Sequence, residues 1–382
     1  MKIHGRLLPL LALAATTLSA APFVALGDSA ELFLTATISV SADDNIFLKN
    51  GETHLGANNA TQDDVILDFA PGLDLVFGRK TATQGNVFFK ENIMRYSDND
   101  DQNTNLVSVG FNSRHEDGKT KVDIGASYVE TAQNDSSAPG HIIPKSTTNF
   151  RALSEFAFSE KTSAGVGVRW EKSDYDTSAA SYRDNKILTV PLDVYFATSP
   201  KLQTSVGYRY RATSLTRQTL NAVDSKDHFF NVGARGEFTP KLTGQLRVGF
   251  GKRNYDNGLD DTSFGVDSGF TYAFSPKTTY QFSISNDFGT SALGETTKTT
   301  SVSMNAINKI DDQWSWNANL VYRNIDFPGH SDDFIAGGLG VSYIFSNSLN
   351  FAAGYNYKKN GSNSLLYEFK NNIFNLSANI RY

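Results

Sequence analysis

The chain has 382 residues, of which 40% are hydrophobic and 20% are charged, and it contains no cysteine. So small an apolar fraction excludes a bundle of transmembrane helices, and the lack of cysteine excludes disulfide bonds and thiolate metal sites. The formal net charge of −5 provides no basic surface for nucleic acid, so we expect no nucleic-acid partner.

The amino-terminal segment has the composition of a secretory signal peptide. A basic start is followed by an apolar run over residues 7–18 and then by small residues. The small-residue rule allows cleavage after Ala20 or after Gly27. Because the apolar run is too short to span a membrane, we predict that residues 1–27 are a signal peptide and that residues 28–382 form one exported domain.

Alternation of apolar and polar residues with a period of two dominates the rest of the chain. In residues 202–211, for example, Val206 and Tyr208 share one face while Arg209 lies on the other. This pattern predicts strands with one apolar and one polar face. Residues 83–96 interrupt the alternation, and we expect a β-bulge there.

Short lysine-bearing turns separate the predicted strands at a nearly constant spacing. Steps of 40, 40 and 36 residues separate the lysines of four such turns, Lys161, Lys201, Lys241 and Lys277. Two strands and one longer polar loop fill each step, and other polar loops are predicted near 43–62, 131–146 and 290–297. Eight short turns, a first strand near 31–41 and a last strand near 370–382 give eighteen strands, with sixteen as the alternative count. The sequence therefore predicts an all-β fold, a transmembrane antiparallel up-and-down β-barrel.

Aromatic residues lie at the two ends of the predicted strands. One set lies on the apolar face beside the short turns and consists of Phe158, Phe238, Phe274, Phe345 and Tyr382. A second set lies on the same face near the other strand ends and includes Trp170, Tyr210, Tyr322 and Tyr357. Two aromatic levels that flank an apolar band are typical of a barrel in a bacterial outer membrane. A secreted soluble β-protein is the alternative interpretation.

The last predicted strand alternates cleanly and ends the chain on an aromatic residue, Tyr382. Such a strand is typical of the signal that the barrel-assembly machinery recognises. We therefore expect that machinery as a partner through Tyr382, and outer-membrane lipid and lipopolysaccharide as the surroundings of the barrel. The predicted location is the outer membrane of a Gram-negative bacterium.

One motif near the start of the chain is more specific than any turn. It consists of Asp43-Asp44-Asn45-Ile46-Phe47, followed by Pro71-Gly72-Leu73. This arrangement resembles the opening of the putative β-barrel porin 2 family, although Ala42 and Ala70 replace that family's usual Tyr and Ser. The resemblance implies an outer-membrane barrel, often linked with exopolysaccharide production or export. It carries over no catalytic residue.

Arginines are the most informative polar side chains of the predicted strands. By alternation, the lumen side receives Arg169, Arg209, Arg211, Arg235 and Arg247. One hypothesis is a salt-bridge network with Glu171, Asp193 and Glu237 that supports the wall. A second hypothesis, compatible with the first, is an anion-selective path, because guanidinium groups pair with carboxylate and phosphate.

Catalysis and metal binding have little support in the sequence. The six histidines are scattered, and residues 98–103 resemble a calcium loop but lack its glycine and its closing glutamate. We therefore expect no enzyme activity, no cofactor and no metal site. The predicted function is a porin-like channel for hydrophilic solutes, either anions or saccharides, with a role in an exopolysaccharide pathway as one option. The alternative is a structural or surface-adhesion barrel without an open pore.

Overall fold

The computed structural model describes residues 21–51, 60–176, 182–216, 219 and 222–382. Within these residues it contains nineteen β-strands. Their bounds are β1 (Val24–Leu26), β2 (Ala30–Asp43), β3 (Asp64–Phe77), β4 (Thr83–Tyr96), β5 (Thr104–Glu116), β6 (Thr120–Asp135), β7 (Ala138–Ala157), β8 (Thr162–Tyr175), β9 (Asn185–Ala197), β10 (Leu202–Leu215), β11 (Ser225–Thr239), β12 (Leu242–Tyr255), β13 (Asp260–Ala273), β14 (Thr278–Thr290), β15 (Thr296–Lys309), β16 (Trp314–Asp326), β17 (Ser331–Ser346), β18 (Leu349–Ser362) and β19 (Phe369–Arg381). No helix in this part of the chain is long and apolar enough to cross a membrane.

Strands β2 to β19 form a closed antiparallel barrel. Each pairs with the next along the chain, and β19 returns to β2 with Ile373 opposite Asp43 and Arg381 opposite Thr35. Closure gives hydrogen-bond partners to the backbone N–H and C=O groups that an open sheet edge would leave unpaired. A sheet that spans a membrane requires such pairing. The prediction of an all-β, eighteen-stranded barrel is confirmed.

The short strand β1 is an addition to this barrel. It pairs with the start of β2, where Val24 lies opposite Leu32. Cleavage after Ala20 would retain β1, whereas cleavage after Gly27 would remove it. The choice between these two sites stays a prediction.

The two faces of the barrel wall differ as the alternation predicts. Large apolar side chains point outwards and are exposed, as shown by Val206 at 59%, Phe250 at 73% and Leu376 at 65%. The opposite, inner face carries polar residues that are buried, such as Ser205 and Asn231. Because no protein layer covers the apolar face, lipid is the medium that suits it.

Strand β4 keeps a continuous register along its whole length. It pairs with β5 from Thr83 opposite His115 to Met94 opposite Thr104, so the bulge expected in 83–96 is wrong. The outward-facing Glu91 accepts a hydrogen bond from Asn105 Nδ2 at 3.2 Å. Polar residues interrupt the sequence pattern there without disturbing the backbone.

The short turns are fixed by their own side chains. At three lysine-bearing turns, a serine Oγ accepts the amide hydrogen of the residue three positions later, with Ser199 and Leu202 at 3.1 Å as one example. At another short turn, the amides of Trp314 and Gln313 donate to the Asp311 carboxylate and hold its pKa below the usual range. Tight turns therefore stand at one end of the barrel, called here the turn end. Longer connections stand at the other, called the loop end.

Candidate functional site: the lumen wall and two inward segments

The inner face is identified by ion pairs that pass over intervening strands. Arg209 on β10 reaches Asp287 on β14 at 2.9 Å, and Arg247 on β12 reaches Asp193 on β9 at 3.2 Å. Side chains that are separated by two or three strands can meet only across the concave side of a barrel. These residues therefore line the interior.

Two arginines share one carboxylate at the centre of the most buried group. Asp227 is 3% exposed and accepts hydrogen bonds from Arg253 Nε at 2.6 Å and from Arg211 Nε at 2.6 Å. Arg253 is 1% exposed, and its Nη1 also donates to the carbonyl oxygen of Gly289 at 2.9 Å. The group therefore ties the wall to the end of β14.

Arg169 differs from the other predicted lumen arginines. Within the described part of the chain it has neither a hydrogen bond nor an ion pair, and its direct cross-strand partner is another arginine, Arg151. Arg247 and Arg209 lie within electrostatic reach of it, as does one acid, Asp267. The guanidinium of Arg169 thus has donors that no described residue uses.

The other predicted lumen residues have the following positions. Arg235 pairs with Glu155 across the interior and covers the ring of Tyr195, with 3.3 Å between its Cζ and the ring centroid. Glu237 pairs with Lys201 of a short turn at 2.8 Å, and not with an arginine, because it lies at the turn end. Glu171 makes no ion pair among the described residues. The role of these side chains in permeation stays a prediction.

The predicted interface aromatics all lie on the outer face. Phe158, Phe274, Phe345 and Tyr382 are exposed at the turn end, and Phe238 packs there against Phe270 with ring centroids 5.3 Å apart. Trp170, Tyr210, Tyr322 and Tyr357 lie towards the loop end of the same face. Their role as membrane anchors stays a prediction.

The segment 44–50 folds from the loop end into the barrel. Leu48 packs against the inner wall in a buried cluster with Phe334, Ala336 and Phe369. Its φ of 53° lies in the left-handed region, which costs a leucine about 1–3 kcal/mol and persists only where the surroundings impose it. The segment therefore narrows the lumen in a defined conformation.

Asn45 holds this segment in place. It is 1% exposed, its Nδ2 donates to the carbonyl oxygens of Lys49 at 2.7 Å and Lys370 at 2.8 Å, and its Oδ1 accepts from the amide of Lys49. Asp43 Oδ1 in turn accepts from the amide of Asn45 at 2.8 Å and from the side chain of Asn371. The motif that carries the family resemblance thus joins the first strand, the last strand and the inward segment.

A second inward segment comprises the end of β14 and the connection after it, residues 288–294. Phe288 and Ala292 are buried, and the carbonyl oxygen of Ala292 accepts from the amide of Arg183 at 3.1 Å. Gly294 has a φ of 80°, and a Cβ there would lie 2.7 Å from the Arg183 side chain, so glycine suits this position. The sequence pattern placed both inward segments simply in loops. An apolar Ile-Phe within a polar loop was the signal that could have indicated burial.

The hairpin of β6 and β7 extends over the first inward segment. Its strands continue to Asp135 and from Ala138, where the sequence pattern predicted a loop over 131–146. Asn134 Nδ2 donates to the carbonyl oxygen of Ile46 at 3.0 Å, and Gly140 N donates to that of Phe47 at 2.7 Å. The mouth at the loop end is therefore partly covered.

Residues 97–99 surround the carboxylate of Asp64. The amides of Ser97, Asp98 and Asn99 donate to Asp64 at 2.8, 3.2 and 2.9 Å. These bonds fix the start of β3. Asp64 accordingly uses both carboxylate oxygens within the protein.

Solved structures with the same architecture are outer-membrane barrels. Acinetobacter baumannii OccAB4 is 11% identical, covers 93% of this chain and 99% of its own, and has a TM-score of 0.50. Pseudomonas aeruginosa OpdK with vanillate is 11% identical over 93% and 99% with a TM-score of 0.49, and P. aeruginosa OccK2 with glucuronate is 9% identical over 92% and 98% with the same score. No curated protein matches the chain.

These distant structures show only a common fold, whereas a family model shows the family. The model of the Putative beta-barrel porin 2 family matches residues 59–382. That match agrees with the closed barrel, its polar interior and its exposed apolar belt. The family is described as one of β-barrel porins. The chain belongs to the Putative beta-barrel porin 2 family and is a porin-like outer-membrane barrel.

Proposed function

We propose that this barrel is a passive channel for small hydrophilic solutes and that it favours anions. The observation that carries the proposal is Arg169, whose charge no carboxylate among the described residues neutralises at contact distance. It faces the lumen beside Arg151, and Arg209 and Arg247 lie nearby. Asp123, Asp287 and Asp193 pair with those three neighbours, Asp267 also pairs with Arg247, and none of these acids pairs with Arg169.

Electrostatics explains why one such charge matters in a pore. A cation in the wall lowers the energy of a passing anion and raises that of a passing cation. At about 7 Å in a water-like medium, one unit charge changes the energy of another by roughly 0.6 kcal/mol, or a factor of roughly three. A guanidinium also matches the planar shape of carboxylate and the oxygens of phosphate.

Replacing Arg169 by Gln should shift the channel towards cations. We expect the ratio of chloride to potassium permeability to fall roughly sevenfold, because the loss of the charge hinders chloride and favours potassium by a factor of roughly three each. The measurement is the reversal potential of single channels in a planar bilayer across a potassium chloride gradient. The matched control is Arg235→Gln combined with Glu155→Gln, which removes an ion pair and leaves the net charge unchanged. An unchanged reversal potential in the Arg169 variant, or an equal shift in the control, would contradict anion preference.

A saccharide solute is a second candidate, favoured by a cavity at the loop end. The cavity measures about 350 Å³ and lies between the outer connections. Tyr255, Phe288 and Phe327 line it together with Asn257 and Lys298. Aromatic faces beside a few polar groups suit a sugar ring. Block of the conductance by neutral saccharides would support this candidate and a role in exopolysaccharide export, whereas a barrel without steady conductance would support the structural or adhesion role.

Assembly through the carboxyl terminus is also proposed. Tyr382 closes the barrel, because its amide donates to the carbonyl oxygen of Leu34 at 2.9 Å and its own carbonyl oxygen accepts from Leu34 N at 2.6 Å. The strand that ends at Tyr382 is exposed and apolar on its outer face, as at Phe374 and Leu376. These features suit recognition by the barrel-assembly machinery.

A further inference from the structure

Two lysines lie directly opposite each other on the outer face at the loop end. Lys359 of β18 and Lys370 of β19 are cross-strand partners, and both are exposed. Side chains in this relation have Cβ atoms about 4.5–5.5 Å apart, and like charges so placed repel each other. An anion between the two ammonium groups would relieve that repulsion.

The protein does not supply this anion within its described residues. Neither Lys359 nor Lys370 has an ion pair there. The nearby acids among the described residues, Asp44, Asp333 and Glu368, make no ion pair with either lysine; Asp333 accepts from Tyr322 Oη at 2.7 Å and Asp44 accepts from Asn372 Nδ2 at 2.6 Å. The two ammonium groups are thus open to the surroundings of the barrel.

The height of this pair on the barrel indicates which surroundings it meets. Lys359 lies two residues beyond Tyr357, one of the aromatic residues on the outer face, in the direction of the loop end. Short turns face the periplasm and long loops face the cell exterior in such barrels. The pair therefore lies at the headgroup level of the outer leaflet.

The same arrangement recurs on nearly the opposite side of the barrel. Lys172 of β8 and Lys186 of β9 are cross-strand partners, ten strands away in a ring of eighteen. Lys172 lies two residues beyond Trp170 and pairs with Asp174 at 2.8 Å, so this second pair is partly neutralised. Repetition at the same height indicates a common chemical environment.

We propose that Lys359 and Lys370 bind a phosphate group of outer-leaflet lipopolysaccharide. A phosphate oxygen between two ammonium groups forms charge-assisted hydrogen bonds with both. The apolar belt immediately below, which includes Phe374, would contact the acyl chains of the same lipid. Lys172 and Lys186 form a weaker copy of this site.

The test measures binding of lipid A to the full-length barrel in detergent by native mass spectrometry. We expect the double variant Lys359→Gln/Lys370→Gln to hold its tightest bisphosphorylated lipid A roughly 30-fold more weakly, because each lysine beside an anionic headgroup contributes a factor of roughly five. Dephosphorylated lipid A should bind the wild-type barrel and the variant equally. The variant Lys359→Arg/Lys370→Arg should retain the binding.

Exposed lysines at the turn end provide the matched control. Lys119→Gln/Lys161→Gln removes the same charge from the opposite end and should leave lipid A binding unchanged. Heat-modifiable gel mobility shows whether each variant is folded. Each single Gln variant at Lys359 or Lys370 should bind lipid A roughly fivefold more weakly than the wild-type barrel. The proposal fails if removal of the phosphates leaves wild-type binding unchanged, if the Gln variants bind like wild type, or if the control loses binding equally.

Discussion

Substituting Met for Arg253 is expected to destabilise the barrel by about 3–5 kcal/mol, the usual cost of removing one partner from a buried ion pair. Asp227 would then depend on Arg211 alone, and Arg211 already serves Asp287. The carbonyl oxygen of Gly289 would also lose its donor. Denaturant unfolding in lipid vesicles, followed by tryptophan fluorescence, measures the free energy of unfolding.

The neighbouring residue supplies the control for this prediction. Lys252 lies on the outer face of the same strand and pairs with Asp260, where both side chains are about half exposed. Lys252→Met should cost less than about 1 kcal/mol, because solvent-exposed ion pairs contribute little. Equal stability of the Arg253 and Lys252 variants would show that the buried cluster does not support the fold as described.

Replacing Asn45 by Ala is expected to release the segment 44–50 from the lumen wall. The change leaves the carbonyl oxygens of Lys49 and Lys370 and the amide of Lys49 without their partner. Each buried group without a hydrogen-bond partner costs about 1–3 kcal/mol. Because the left-handed backbone of Leu48 adds a cost of about 1–3 kcal/mol, we expect the segment to leave the wall. Single-channel recordings should show a larger and noisier conductance.

An exposed asparagine of another outer connection controls for the loss of an amide side chain. Asn363 accepts from the amide of Ser331 at 3.1 Å, and Asn363→Ala should leave the conductance unchanged. Leu48→Ser weakens the contact with the wall by a different route and should also widen the pore. If both Asn45→Ala and Leu48→Ser conduct like wild type, the inward segment does not limit the flow.

The strands and the direction of their side chains could be predicted from the sequence because a barrel wall repeats one local rule. Each residue faces either lipid or lumen, so Val206 and Arg209 take opposite sides whatever their distant neighbours are. The same rule gave the eighteen strands and the outer position of residues such as Phe158 and Tyr322. It failed at Glu91, where a polar outward side chain finds Asn105 on the next strand.

The contents of the lumen depend on contacts that no local rule contains. Asn45 and Lys370 are 325 positions apart, and Arg209 and Asp287 are 78 apart. The inward parity of Arg209 was predictable, but its partner on β14 and the isolation of Arg169 follow from the curvature of the closed wall. Glu237 likewise faces Lys201 because of its height on the barrel, which alternation does not specify.

The hydrogen bonds around Asn45 also have a consequence for the order in which the barrel assembles. The side chain of Asn45 donates to the carbonyl oxygen of Lys370, and Asp43 accepts from Asn371. Both partners lie on β19, the last strand along the chain. Until β19 has docked on β2, the segment 44–50 lacks its hydrogen bonds to Lys370 and Asn371. The inward segment therefore reaches its final position in the lumen only when the barrel has closed. Before closure the lumen lacks this constriction, and after closure residues 44–50 narrow it.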